Sequence, residues 1–129
     1  MVPTHLLLVD DDARHSECLK ETLEAAEFRV DIRLDGAAAV RDVLRLRPEV
    51  IVMDLGLPII DGWAATRLIR QRVRAVPGYR PYIIVLSGHD DADARTRAFA
   101  AGCDEYVVKT SDIGGALRAY VSRAKGPRT

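Results

Sequence analysis

The stretch Leu6-Leu7-Leu8-Val9-Asp10-Asp11-Asp12 decides the fold. Four apolar residues in a row, without polar alternation, read as a strand covered on both faces, which is the habit of a parallel sheet. Three carboxylates close the run. A core has no use for them there, because buried carboxylates repel one another unless a cation sits among them. The same pattern returns along the chain: Val50-Ile51-Val52-Met53 ends in Asp54, Ile83-Ile84-Val85-Leu86 ends in Ser87, and Tyr106-Val107-Val108 ends in Lys109. In a parallel sheet the carboxyl ends of the strands share one edge, and ligands bind in the crevice outside it. Carboxylates, a hydroxyl and an ammonium are therefore expected to converge.

Between these runs lie helical patterns, so that strand and helix alternate five times. The first strand spans His5 to Val9, and a helix follows from Asp12-Ala13, with Asp12 as its N-cap. Cys18, Leu19, Thr22, Leu23 and Ala26 recur along it at helical spacing. The second strand, Phe28 to Arg33, alternates Phe28, Val30 and Ile32 with polar residues, as an edge strand does. The second helix runs from Gly36 and is stopped by Pro48. The third strand is Val50 to Met53. The loop Asp54-Leu55-Gly56-Leu57-Pro58-Ile59-Ile60-Asp61-Gly62 is rich in breakers, and the third helix runs from Trp63 to Val73 with Ala64, Arg67, Leu68 and Gln71 on successive turns. A long connector, Ala75 to Pro81, leads to the fourth strand. The fourth helix, Asp91 to Ala101, has Phe99 as its one large apolar residue and Gly102 as its C′ glycine. The fifth strand is Glu105 to Val108 and the last helix Ile113 to Ala124. Such alternation implies βαβ units and a parallel sheet with helices on both faces. One doubly wound order for five strands, 2-1-3-4-5, places the switch point between strands one and three, where Asp10, Asp11 and Asp54 would meet.

Composition narrows the function classes. At 129 residues, 48% of them hydrophobic, the chain reads as one domain over 1–129 with a core from about 5 to 124. Nineteen basic residues balance nineteen acidic ones, which argues against broad attraction to nucleic acid or anionic lipid. Cys18 and Cys103 have neither metal-like spacing nor a disulfide framework, and read as reduced thiols of a cytoplasmic protein. No apolar stretch approaches the ~20 residues of a membrane span, and the N-terminus carries no signal-peptide pattern.

In this order and spacing, Val9-Asp10-Asp11, Asp54, Leu57-Pro58-x-x-Asp61-Gly62, Ser87 and Lys109 resemble the response-regulator receiver domain of two-component signalling, across Leu6 to about Val121. The resemblance implies a flavodoxin-like (βα)5 fold with a five-stranded parallel sheet. It implies Asp54 as phosphoacceptor, Mg²⁺ (with Mn²⁺ as a substitute) held by Asp10, Asp11, Asp54 and the Gly56 backbone carbonyl, and a sensor histidine kinase or histidine phosphotransfer protein as donor. Lys109 would reach the phosphoryl oxygens and Ser87 would hydrogen-bond the group after transfer. Ser87 and Tyr106 would form the switch, altering the face of the fourth helix, fifth strand and fifth helix. Gly56 and His89, each two residues past a site residue, sit where the family varies the rate of self-dephosphorylation. Such a chain is a signalling domain that promotes only its own phosphorylation and dephosphorylation, a monomer or weak dimer. No DNA-binding domain is expected in it, since few residues follow the last helix.

Other residues take plainer readings. His5 and His15 receive no role. Arg67, Arg70 and Arg74 lie roughly on one helix face and read as a solvated surface, and Trp63 as packing. One departure from the family pattern is Thr110, where proline usually follows the lysine. A non-proline cis bond costs about 3–4 kcal/mol, so a trans or heterogeneous Lys109–Thr110 bond is expected. Two rival classes remain. A pseudo-receiver would bind partners without phosphorylation, against which stands the intact set Asp10, Asp11, Asp54, Ser87 and Lys109. An aspartyl-phosphate hydrolase of the haloacid dehalogenase type would want an acid two residues past the nucleophile, where this chain has Gly56.

Overall fold

Strand order follows from which apolar runs are covered on both sides. In the computed structural model, which describes residues 3–55, 61–88, 90–109 and 113–124, ten elements alternate. They are β1 (His5–Val9), α1 (Ala13–Ala25), β2 (Arg29–Arg33), α2 (Gly36–Leu46), β3 (Val50–Asp54), α3 (Gly62–Val73), β4 (Tyr82–Ser87), α4 (Ala92–Ala101), β5 (Glu105–Val108) and α5 (Ile113–Ala124). The sheet is parallel throughout in the order β2-β1-β3-β4-β5. The strands β1 and β3, which carry the apolar runs Leu6–Val9 and Val50–Met53, are buried at every position, whereas the alternating β2 lies at an edge and is partly exposed. This is the expected doubly wound order.

Period-two alternation divides each central strand between two cores. Leu7, Val9, Ile51, Met53, Ile83 and Val85 face Val43 of α2, Ala65, Ile69 and Val73 of α3, and Ala98 of α4. Leu6, Leu8, Val50, Val52, Ile84 and Leu86 face Leu19 and Leu23 of α1, with Leu117 and Val121 of α5. Aspartates begin the first four helices: the side chains of Asp12, Asp35, Asp61 and Asp91 each accept backbone N–H groups of the first turn. Gly102 ends α4 with φ 111°, the left-handed C-terminal geometry expected of it.

The structure corrects the expected placement of Arg70 on α3. Arg67, Leu68 and Gln71 are exposed, and the buried stripe is Ala65, Ile69 and Val73 together with Thr66 and Arg70. Arg70 therefore does not share a solvated face with Arg67 and Arg74. Its guanidinium donates to the Gly102 carbonyl (2.7 Å), the Pro81 carbonyl (2.7 Å) and the Asp104 carboxylate (2.7 Å). The long connector is likewise tied down: the Tyr79 hydroxyl donates to the Pro48 carbonyl at 2.7 Å. Cys18 points outward from α1 and Cys103 is buried. Among the described residues no helix is long and apolar enough to cross a membrane.

Candidate functional site

Parallel pairing brings the ends of β1, β3, β4 and β5 to one edge. Asp10 follows β1 and is only 2% exposed; its backbone N–H donates to the Arg33 carbonyl at 3.1 Å, which continues the β1–β2 ladder past Val9. Asp11 is exposed beside it. Asp54 closes β3 at 7% exposure. Its chain direction is set from both sides, because Leu55 N–H donates to the Leu86 carbonyl of β4 (3.1 Å) and Gly62 N–H donates to the Leu55 carbonyl (3.3 Å). A glycine is required at 62: a Cβ there would stand 2.5 Å from the Asp54 carbonyl oxygen and 2.7 Å from Leu55 Cα. The start of α3 thus packs directly on the backbone that carries the Asp54 side chain.

One oxygen from each of Asp10, Asp11 and Asp54 lies within 4.8 Å of the others. Three carboxylates this close repel one another, and positive charge placed among them relieves that repulsion. Lys109 supplies part of it, its Nζ donating to Asp54 Oδ2 at 3.1 Å. The lysine is aimed by its own backbone, whose N–H donates to the Ser87 carbonyl at 2.7 Å, so the ends of β4 and β5 are locked together beside the acidic group. Ser87 is buried at that edge. Among the described residues one ammonium stands against the three carboxylates, so this group remains acidic. Oxygen-only donors on rigid strand ends suit a hard divalent cation such as Mg²⁺, which takes one or two carboxylates and keeps several waters. The donor set therefore fits that ion.

Tyr106 lies on β5 in the core, 4% exposed. The Arg95 guanidinium covers its ring at 4.7 Å from the centroid and also pairs with Asp90 at 3.1 Å. Arg95 thus links the β4–α4 loop to the aromatic residue. Phe99 is 46% exposed and Ala98 is the buried residue of α4, so this helix has few apolar anchors.

The site thus unites Asp10, Asp11, Asp54 and Lys109, with Ser87 at the adjoining strand end. Gly56, Leu57, Pro58, His89 and the Lys109–Thr110 bond lie outside the described residues. Sequence reasoning gave His15 no role, yet its Nδ1 contacts Asp10 Oδ2. The available signal was a histidine three residues past an aspartate N-cap that itself adjoins the acidic run. Trp63 packs against the core as expected, and the Arg97 guanidinium covers its ring at 3.8 Å.

Comparison with known proteins gives a consistent picture. A family model described as the response regulator receiver domain matches residues 6–121. The chain is 35% identical over 104 residues to the transcriptional regulatory protein PrrA of Mycobacterium leprae, covering 81% of this chain and 42% of that protein. It is 31% identical over 123 residues to the response regulator MprA of the same organism, covering 93% and 52%. It thus spans about half the length of the curated relatives it matches. Among solved structures, the BeF3-activated DrrB receiver domain superposes with a TM-score of 0.81 at 27% identity, covering 97% of this chain and 99% of that one. The chemotaxis protein CheY4 of Vibrio cholerae gives 0.84 at 21% identity over 95% and 98%, a likeness of fold alone.

Proposed function

The chain belongs to the response regulator receiver family of two-component signalling, and from that membership we propose that Asp54 accepts a phosphoryl group from a phosphohistidine on a sensor histidine kinase or histidine phosphotransfer protein. A carboxylate oxygen of Asp54 attacks phosphorus while the phosphorus–nitrogen bond to the donor histidine breaks. The product is an acyl phosphate, and the departing imidazole takes up a proton. Such transfer depends on positioning and charge neutralisation more than on covalent assistance from the protein. When bound, Mg²⁺ (or Mn²⁺ in its place) supplies neutralisation at the phosphoryl oxygens. Asp10, Asp11 and Asp54, with the Gly56 backbone carbonyl that the family resemblance implies, would hold it. Lys109 contributes a point charge to the same oxygens.

After transfer Ser87 hydrogen-bonds the phosphoryl group, and Tyr106 together with the α4-β5-α5 face reports the change to a protein partner. Arg95, which covers Tyr106 and pairs with Asp90, supports this reading by tying the ring to the loop that follows Ser87. The sparse apolar anchoring of α4 supports it as well, because segments with few buried contacts have low local stability. Gly56 and His89 set how fast the acyl phosphate is lost. The chain works as a cytoplasmic receiver domain, monomeric or weakly dimeric, and as a signalling module it turns over no separate substrate.

The observation that carries this reading is the Lys109–Asp54 ion pair inside a group of three converging carboxylates. Intact-mass spectrometry with acetyl phosphate or phosphoramidate tests it. The expected result is a gain of one phosphoryl mass with Mg²⁺, absent when Mg²⁺ is chelated and absent in Asp54→Asn. No gain in the wild-type protein under any of these conditions would favour a pseudo-receiver that binds partners without phosphorylation.

A further inference from the structure

Asp10 is the most buried of the three clustered carboxylates, and both of its oxygens are engaged. Oδ1 accepts the Asp12 backbone N–H at 2.9 Å. Oδ2 meets Nδ1 of His15, a ring that is about one-third exposed, whereas the Asp10 side chain is almost wholly covered. An ionised carboxylate only accepts hydrogen bonds, so Nδ1 carries the proton and donates. The ring is held for this task by its own backbone. Asp12 caps α1 through Oδ1, which accepts N–H from Arg14 at 3.0 Å and from His15 at 3.1 Å. The Asp10-Asp11-Asp12 turn and the first turn of α1 therefore form one closed hydrogen-bonded unit with the imidazole at its outer edge.

His15 is not a member of the group whose ligand atoms lie within 4.8 Å of one another; that group is Asp10, Asp11 and Asp54. It acts on the cluster through Asp10. We propose that His15 is a positioning residue for the divalent-cation site, its Nδ1–H fixing the Asp10 carboxylate so that its remaining lone pairs face the ion and the ion's waters. This rests on reading the three carboxylates as the cation site. The physical need is specific. Asp10 stands beside two other carboxylates that repel it, and a buried side chain under such a push turns away unless a donor holds its far side. Outer partners that orient a ligand in this way are worth about 10–100-fold in metal affinity.

Binding of Mn²⁺, followed by loss of the free-ion signal in electron paramagnetic resonance, and of Mg²⁺, by competition with it, tests the proposal without requiring phosphorylation. The proteins compared are wild type, His15→Ala and His15→Asn, the last because its amide N–H can stand where Nδ1–H stands. His15→Ala is expected to weaken both ions by about ten-fold, and His15→Asn to recover most of the loss. All three are expected to melt alike in the absence of divalent ion, which separates a positioning role from a general loss of fold. Binding by His15→Ala equal to or tighter than wild type would overturn the proposal, tighter binding meaning that the ring competes with the ion for Asp10. Loss of binding in both variants without rescue by asparagine would also overturn it. Failure of the wild-type protein to take up Mn²⁺ would instead remove the cation-site reading beneath it.

Discussion

At the residue scale, the two cysteines show how much position alone changes chemistry. Cys103 sits in the core between α4 and β5, and burial pushes its thiol up to about 12. The thiolate is the nucleophile, so Cys103 is expected to be inert near neutral pH, while Cys18 stands in solvent on α1. Treating the folded protein with a maleimide near neutral pH, followed by peptide mapping, should give one adduct, at Cys18. Labelling of Cys103 first would contradict the burial described here. The acidic and basic site residues were legible because each ends an apolar run, and the parallel sheet does the rest. Arg70 and His15 were not. Arg70 is held by carbonyls of Gly102 and Pro81 and by Asp104, all of which reach it only through the tertiary fold. The His15 ring reaches Asp10 across the β1–α1 turn, where helical spacing does not apply.

At the element scale, α3 is where one charged residue departs from its expected place. Ala65, Ile69 and Val73 recur every fourth residue and form the buried stripe, and Arg70, read from the sequence as solvated with Arg67 and Arg74, lies beside that stripe instead. Burying a guanidinium in that stripe is tolerated because all three of its bonds go to loop carbonyls and a carboxylate, so Arg70 fastens α3 to the ends of α4 and the loops before β4 and β5. Removing one partner of a buried ion pair costs about 3–5 kcal/mol. Asp104 keeps Arg80 as a second partner at 3.0 Å, which places Arg70→Ala near the lower end of that range. Urea unfolding checks this, and a loss well under 1 kcal/mol would mean the network contributes little. Element ends shifted by a residue or so for local reasons. Phe28 was expected in β2, but its N–H donates to the Leu23 carbonyl at the end of α1, so the strand begins at Arg29.

At the scale of the whole molecule, the order of the strands was legible because apolar runs that alternate with helices admit few arrangements. What composition hid was a charge cluster away from the site. Asp42 of α2 is buried among Arg33, Arg41 and Arg45. Its hydrogen bonds to the Arg41 guanidinium, and then to that of Arg33, hold its carboxyl well below the usual carboxylate range. The unfolded chain then binds a proton at Asp42 before the folded one does, so this contribution is complete above the unfolded value of about 4 and is lost as pH falls below it. Stability measured in urea is expected to drop between neutral pH and about pH 3 more steeply for wild type than for Asp42→Asn. Equal slopes would show that Asp42 is not differentially charged between the two states.

The central claim is that four strand ends make Asp54 a phosphoacceptor, and locating the group on the chain tests it most directly. Protein exposed to acetyl phosphate and Mg²⁺ can be treated with borohydride, which reduces an acyl phosphate to an alcohol and so converts the modified aspartate to homoserine. Peptide sequencing by mass spectrometry is expected to find homoserine at position 54 and aspartate at 10, 11 and 61. Homoserine at any other aspartate, with Asp54 unchanged, would contradict the assignment.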